Sequence, residues 1–228
     1  MKNKNILVFG AGSDIAKSLI KILEKDNNLY KVSSNIDNLN ISKNDKWFYS
    51  TYKDFNTIDQ VLSKLEKIEV VIIFNGRLNS SKITEIEKNK ELNDINFLYP
   101  MTIISKILQK YNNSKLHIAT VTSVAGERGR FRNIIYSSSK AALTSYLSSI
   151  RQKYSMHRIT TIKLGMVSTK MTNHLKLNKY LTDTPDKAAD LIFKGLKSNK
   201  DIIISLKWRF IMTIVKILPE TIFKRLKF

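Results

Sequence analysis

Residues 5–17 read NILVFGAGSDIAK: a short run of apolar residues, a turn carrying Gly10 and Gly12, and an abrupt change to helical spacing. An apolar run of that length, ended by glycine, fits a strand buried on both faces of a parallel sheet. The following DIAKSLIKILEK, 14–25, repeats its apolar residues with the period of a helix. In such a turn glycine lets the backbone approach a pyrophosphate, whose charge then sits at the helix N-terminus. The third glycine of a G-x-G-x-x-G fingerprint is absent, with Ile15 and Ala16 where it would fall. A tight strand-to-helix turn without a ligand would have the same residues.

Outward from this unit the pattern repeats. Val- and Ile-rich runs occur at 69–76 (EVVIIFNG), 116–123 (LHIATVTS), 159–165 (ITTIKLG) and 201–206 (DIIISL), with shorter candidates at 29–34 and 46–51. Helical periodicity fills 58–67, 97–111 and 141–154, and Pro185 opens a further helix, DKAADLIFKGLK. Seven strands alternating with helices predict an α/β protein with a doubly wound, Rossmann-type parallel sheet. Without a repeat, linker or second core, the chain reads as one domain, 1–205, followed by a basic amphipathic extension, 206–228.

At 228 residues a single core needs no disulfide or metal staple, and cysteine is absent, which removes thiol chemistry. The glycine turn arrives by residue 10, too early for the apolar region of a signal peptide, so a cytoplasmic protein is expected. A net charge of +20 points to an anionic partner. Heavy use of Asn, Lys and Ile along the whole chain offers base composition of the genome as an alternative source of that charge. Nucleic acid is not expected, because no motif combines the basic residues with aromatic ones.

The stretch 121–143, VTSVAGERGRFRNIIYSSSKAAL, ends a buried strand at Ser123 and starts a long helix that carries Tyr136 and Lys140. Four residues apart, Tyr136 and Lys140 share one helix face. A tyrosine titrates near 10, so acid–base work at neutral pH calls for a nearby cation, which Lys140 would supply. Ser123 would hydrogen-bond a substrate oxygen and hold it for proton transfer. Taken singly, Tyr136 also reads as a half-buried helix residue and Lys140 as a solvated one.

Together, the Ser-(12 residues)-Tyr-x-x-x-Lys run, the glycine turn and the Asn of DINFLYP resemble the short-chain dehydrogenase/reductase family over roughly residues 4–205. The resemblance implies an oxidoreductase using NADPH or NADH, with Tyr136 as general acid/base, Lys140 on the nicotinamide ribose, Ser123 on the carbonyl and Asn96 supporting a water relay. It also implies cofactor contacts from Gly10, Gly12, Ser13, Asp14, Ile15, Ser34, Asn75 and Gly76, and from Gly165, Val167 and Thr169 at the nicotinamide end. Two departures stand out: Arg77 replaces a family glycine, and Asp14 replaces another near the phosphates, where a carboxylate is unfavourable unless it caps the helix. The end of the second strand, VSSNID, is neutral up to Asp37, which favours NADPH slightly over NADH.

On the substrate side, residues 166–184 resemble the family's mobile loop. Arg128, Arg130 and Arg132 stand before Tyr136, where bidentate phosphate binding would suit them; a solvated loop is the alternative. The chain ends on SLKWRFIMTIVKILPETIFKRLKF, 205–228, with six basic residues and one acidic, Glu220. This is too charged to span a bilayer, and Pro219 divides it into two short helices. It fits a helix lying in an anionic membrane interface, or one docked on its own domain or on a second subunit. The ending and the turn also resemble a family subgroup, the reductase subunit of the decaprenylphosphoryl ribose 2-epimerase system. That likeness implies a keto-sugar on a polyprenyl phosphate as substrate, in polysaccharide synthesis at the inner face of the membrane. A soluble carbonyl compound, a 3-oxoacyl thioester, or a cofactor-sensing scaffold without turnover are the alternatives; homo-oligomerisation is expected and no metal site is.

Overall fold

The computed structural model describes residues 1–36, 46–79 and 82–226. Asp37 and Lys227 lie outside the described residues.

The opening stretch forms β1 (Asn5–Phe9), with Ile6, Leu7, Val8 and Phe9 fully buried, and α1 (Asp14–Leu23). Ser13 caps α1 by accepting the Ala16 N–H at 3.3 Å. Ala16, Leu19, Ile20 and Leu23, at helical spacing, turn one face of α1 to the core. Each larger side chain contributes roughly 1.5–3 kcal/mol on burial. Next come β2 (Asn28–Ser33), β3 (Trp47–Tyr49), α2 (Asn56–Ser63) and β4 (Val70–Ile73). The second half adds α3 (Ile86–Asn93), α4 (Tyr99–Lys110), β5 (His117–Ser123), α5 (Ile134–Lys153) and β6 (Arg158–Leu164). It closes with β7 (Met166–Val167), β8 (Thr182–Asp183), α6 (Pro185–Lys197), β9 (Ile202–Ile203), α7 (Leu206–Ile217) and α8 (Glu220–Phe223).

The main sheet has seven parallel strands in the order β3-β2-β1-β4-β5-β6-β9. The doubly wound α/β fold expected from the sequence is therefore the fold observed. One face of the sheet packs against α2, α4 and α5, and the other against α1 and α6. Strand order reverses between β1 and β4, and such a switch point opens a crevice at the carboxyl ends of the strands.

Three local expectations need correction. The run 201–206 pairs with β6 only at Ile202 and Ile203, because the chain turns into α7 at Leu206. The helix expected from 97 continues an earlier one: α3 passes through a π-helical turn, Asp94–Leu98, into α4. In IEKNKELN only Leu92 is buried, so the sequence carries almost no amphipathic signal there. Finally, β7 and β8 pair in parallel across the 166–184 segment, a link too short to show as periodicity.

Candidate active site

Gly10 ends β1 with φ of 71°, in the left-handed region that favours glycine. A Cβ there would lie 3.0 Å from the Asn75 nitrogen and 3.1 Å from the Phe74 carbonyl carbon, so the turn can press directly onto the end of β4. Gly12 follows, and the first-turn N–H groups of Asp14 and Ile15 precede the one capped by Ser13. Ile15 is partly buried against the α1 and α6 side of the core, and Ser34 is exposed just past β2. The Asp14 carboxylate does not cap α1. It accepts the backbone N–H of Lys170 at 2.8 Å and so ties the 166–184 segment to the glycine turn.

Asn75 and Gly76 leave β4 beside Lys140. The Lys140 ammonium, 3% exposed, donates to the carbonyls of Asn75 and Val121, both at 3.3 Å. Burial, with no ion pair to a carboxylate among the described residues, pushes Lys140 down to about 8. Asn96, fully buried in the π-helical turn, accepts the Arg77 N–H at 3.0 Å and donates to the Arg77 and Leu92 carbonyls at 2.9 Å. Arg77, in the family's glycine position, thereby has its backbone fixed, while its guanidinium pairs with Glu91 at 3.0 Å.

Ser123 closes β5. Its hydroxyl accepts the Ala125 N–H at 3.1 Å and donates to the Leu164 carbonyl at 3.4 Å. The 3-10 turn Val124–Glu127 follows and packs tightly on α5: a Cβ on Gly126 would fall 2.7 Å from the Lys140 carbonyl carbon. Burial raises the Tyr136 hydroxyl above its ordinary value, and the neighbouring Ser123 hydroxyl opposes this. Lys140, expected to lower Tyr136, has its ammonium turned to the backbone carbonyls of Asn75 and Val121.

At the far side, Gly165 follows β6, Val167 is buried in the core, and the Thr169 N–H donates to the Thr172 hydroxyl at 3.0 Å. The arginines depart from expectation. Arg128 donates to the carbonyls of Val215 and Leu218, both at 2.6 Å, pairs with Glu220 at 2.8 Å, and lies 3.9 Å from the centre of the Phe223 ring. It closes the C-terminal end of α7 instead of facing a substrate. Arg130 lies against Val124 and Met212, and burial brings it down to about 10. Arg132 is exposed.

Two features were missed. Trp208 of the extension packs on Gly165, and Glu127 is a nearly buried carboxylate bracketed by Lys163 and Lys216. A tryptophan in a basic amphipathic ending signals only an apolar face, and nothing local in GERGR marks its acid as buried. Among the described residues no group of three His, Cys, Asp or Glu side chains could hold a metal.

The residues fit a dinucleotide. A glycine turn that only glycine can make lies at the switch point, and the Asn75 side-chain oxygen is buried without a protein partner beside it. Asp14 is the one discordant charge, and it is turned towards the Lys170 backbone.

Such a crevice, with Ser, Tyr and Lys at its end, defines a nucleotide-binding α/β protein of the oxidoreductase type. Residues 4–179 match the short chain dehydrogenase family, and the chain belongs to it. It is 27% identical over 192 residues to 11-beta-hydroxysteroid dehydrogenase-like 3 of Arabidopsis thaliana, covering 80% of this chain and 59% of that protein. It is 25% identical over 199 residues to the 3-oxoacyl-[acyl-carrier-protein] reductase FabG of Buchnera aphidicola, covering 79% and 80%. The chain spans about three fifths of the length of the first curated relatives it matches, 59% and 62%. Among solved structures, a short chain dehydrogenase from Burkholderia cenocepacia in complex with NADP superposes with a TM-score of 0.88. That match covers 98% of this chain and 97% of the other; at 14% identity it establishes the fold.

Proposed function

We propose that the protein is an NAD(P)H-dependent carbonyl reductase. The observation that supports it best is the junction of the β5 end with α5, where the Ser123 hydroxyl bears on the titration of Tyr136 and the Lys140 ammonium donates to the Val121 carbonyl at 3.3 Å. When bound, the reduced nicotinamide supplies a hydride to the carbonyl carbon. Tyr136 gives its hydroxyl proton to the carbonyl oxygen, and Ser123 donates a hydrogen bond to the same atom and fixes it for transfer. Burial keeps Tyr136 protonated at neutral pH, as an acid must be. Lys140, held by the Asn75 and Val121 carbonyls, is assigned to the nicotinamide ribose. Gly10, Gly12, Ser13 and the first-turn N–H groups of α1 receive the pyrophosphate, and Asn75, Gly76, Gly165, Val167 and Thr169 frame the nicotinamide half. Among the described residues the end of β2, Ser33 to Ile36, carries no acid, which favours NADPH.

The test is oxidation of NADPH, followed by its absorbance, with a panel of carbonyl compounds. Turnover is expected, and kcat/KM should fall above about pH 8, where Lys140 loses its charge. Absence of turnover across keto-sugars, 3-oxoacyl thioesters and simple ketones would support a cofactor-sensing scaffold instead.

For the substrate, the reading is a keto-sugar on a polyprenyl phosphate or other phosphorylated carrier, met at an anionic membrane surface. No helix among the described residues is long and apolar enough to cross a membrane. The outer face of α7 leaves Leu206, Phe210 and Ile217 69–80% exposed, with Arg209, Lys224 and Arg225 also exposed in the extension. Apolar side chains among cations suit an interfacial helix on anionic lipid. Flotation with anionic vesicles at low salt is the expected result; recovery in the unbound fraction removes the membrane from the reading. A soluble carbonyl or 3-oxoacyl thioester is the second reading. Commitment of Arg128 and Arg130 to α7 favours it by leaving Arg132 alone of the three for a phosphate, and so does the likeness to a 3-oxoacyl reductase.

A further inference from the structure

We infer that α7 is a wall of the active site and that Trp208 is a positioning residue for the nicotinamide end of the crevice, an inference that rests on the dinucleotide reading above. Trp208 is 5% exposed. A Cβ built on Gly165 would fall 1.8 Å from its indole nitrogen and 2.2 Å from Cδ1 and Cε2, so the ring covers the backbone of Gly165 with no space between. The same ring clusters with Val124, Met212 and Val215. Val124 directly follows Ser123, and Gly165 directly follows β6. One side chain therefore braces both the turn that aims Ser123 and the turn that leads into Val167.

Anchors on both sides of the site hold the ring there. Arg128 binds the last carbonyls of α7, and Glu127 pairs with Lys216 from the Ser123 side. Lys207 pairs with Asp183 at 2.7 Å, at the far end of the substrate loop. The glycine turn of β1 is held differently: α1 rests on the core shared with α6, and Asp14 accepts the Lys170 N–H. Removing the indole should therefore loosen the nicotinamide end while leaving the adenosine end unchanged. Among the described residues the buried indole N–H has no partner, so the brace acts through the shape of the ring and not through a hydrogen bond.

Two ligands separate the halves: NADPH, and 2′-phospho-ADP-ribose, which lacks only the nicotinamide. Calorimetric titration of Trp208→Ala should show NADPH binding weakened about tenfold or more, a loss of about 1.4 kcal/mol. Binding of 2′-phospho-ADP-ribose should stay within about twofold, and Trp208→Phe should restore most of the NADPH affinity. Equal losses for both ligands, no loss, or failure of the phenylalanine to rescue would overturn the inference. If the alanine variant does not fold, hydrogen exchange on the wild-type protein decides: NADPH should slow exchange across residues 206–217 more than 2′-phospho-ADP-ribose does, and an equal effect would contradict the inference. A wild-type protein that binds neither ligand, nor NADH, would instead refute the dinucleotide reading itself.

Discussion

Two helices border the crevice from opposite ends of the chain, and they are held by different physics. α1 follows its strand through a turn that depends on backbone contact at Gly10, and it rests on a broad apolar core shared with α6. α7 buries only Trp208, Met212 and Val215, with Val124, in its own small cluster; charged groups complete its attachment. Arg128 reaches carbonyls 87 and 90 residues away, and Glu127 draws Lys216 to the same place. The first helix should tolerate changes of charge but not of backbone shape. The second should behave in the opposite way.

The largest effect is expected at Gly10→Val. A β-branched residue at φ of 71°, with its Cβ 3.0 Å from the Asn75 nitrogen, combines left-handed strain with overpacking. Roughly 3 kcal/mol or more of stability should be lost, read as a fall in Tm together with loss of NADPH binding. A variant as stable as the parent would break the claim that backbone contact places α1.

Glu127→Gln comes next. Its carboxylate is 5% exposed between Lys163 and Lys216, with Lys163 also largely buried, and neutralising it leaves that lysine unpaired. The loss should be on the order of 3 kcal/mol in urea unfolding, with hydrogen exchange accelerated in α7 and not in α1. Equal acceleration in the two helices would erase the distinction between them.

Asp14→Asn should be the smallest and the most specific. The amide oxygen can still accept the Lys170 N–H, so the tie to the substrate loop survives, but the negative charge near the pyrophosphate is gone. NADPH affinity should rise about threefold, while stability drops by about 0.5 kcal/mol through loss of an anion at a helix N-terminus. Weaker NADPH binding would show that the carboxylate serves the cofactor directly.

The same contrast explains what the sequence made legible. β1, α1 and the Ser123, Tyr136, Lys140 spacing are local signals: burial of a short strand, a period of 3.6, and a four-residue step on one helix. Their relation to the switch point follows from parallel topology. The extension was legible only as a composition. Which of its faces meets the domain is decided by Trp208 against Gly165 and by Arg128 against the end of α7, contacts between residues far apart in the chain. For the same reason Arg128 and Arg130 read as phosphate ligands: their loop position was visible, but their partners were not. α3 was missed because its single buried side chain, Leu92, leaves no periodic trace.

In the proposed reductase site at the β5 and α5 junction, Tyr136 is the proton donor. Its most direct test compares Tyr136→Phe with the parent, measuring NADPH binding and carbonyl-dependent NADPH oxidation on the same samples. Unchanged binding and a fall in kcat of roughly 100- to 10,000-fold are expected. Turnover retained at the parental rate, with NADPH bound, would contradict it.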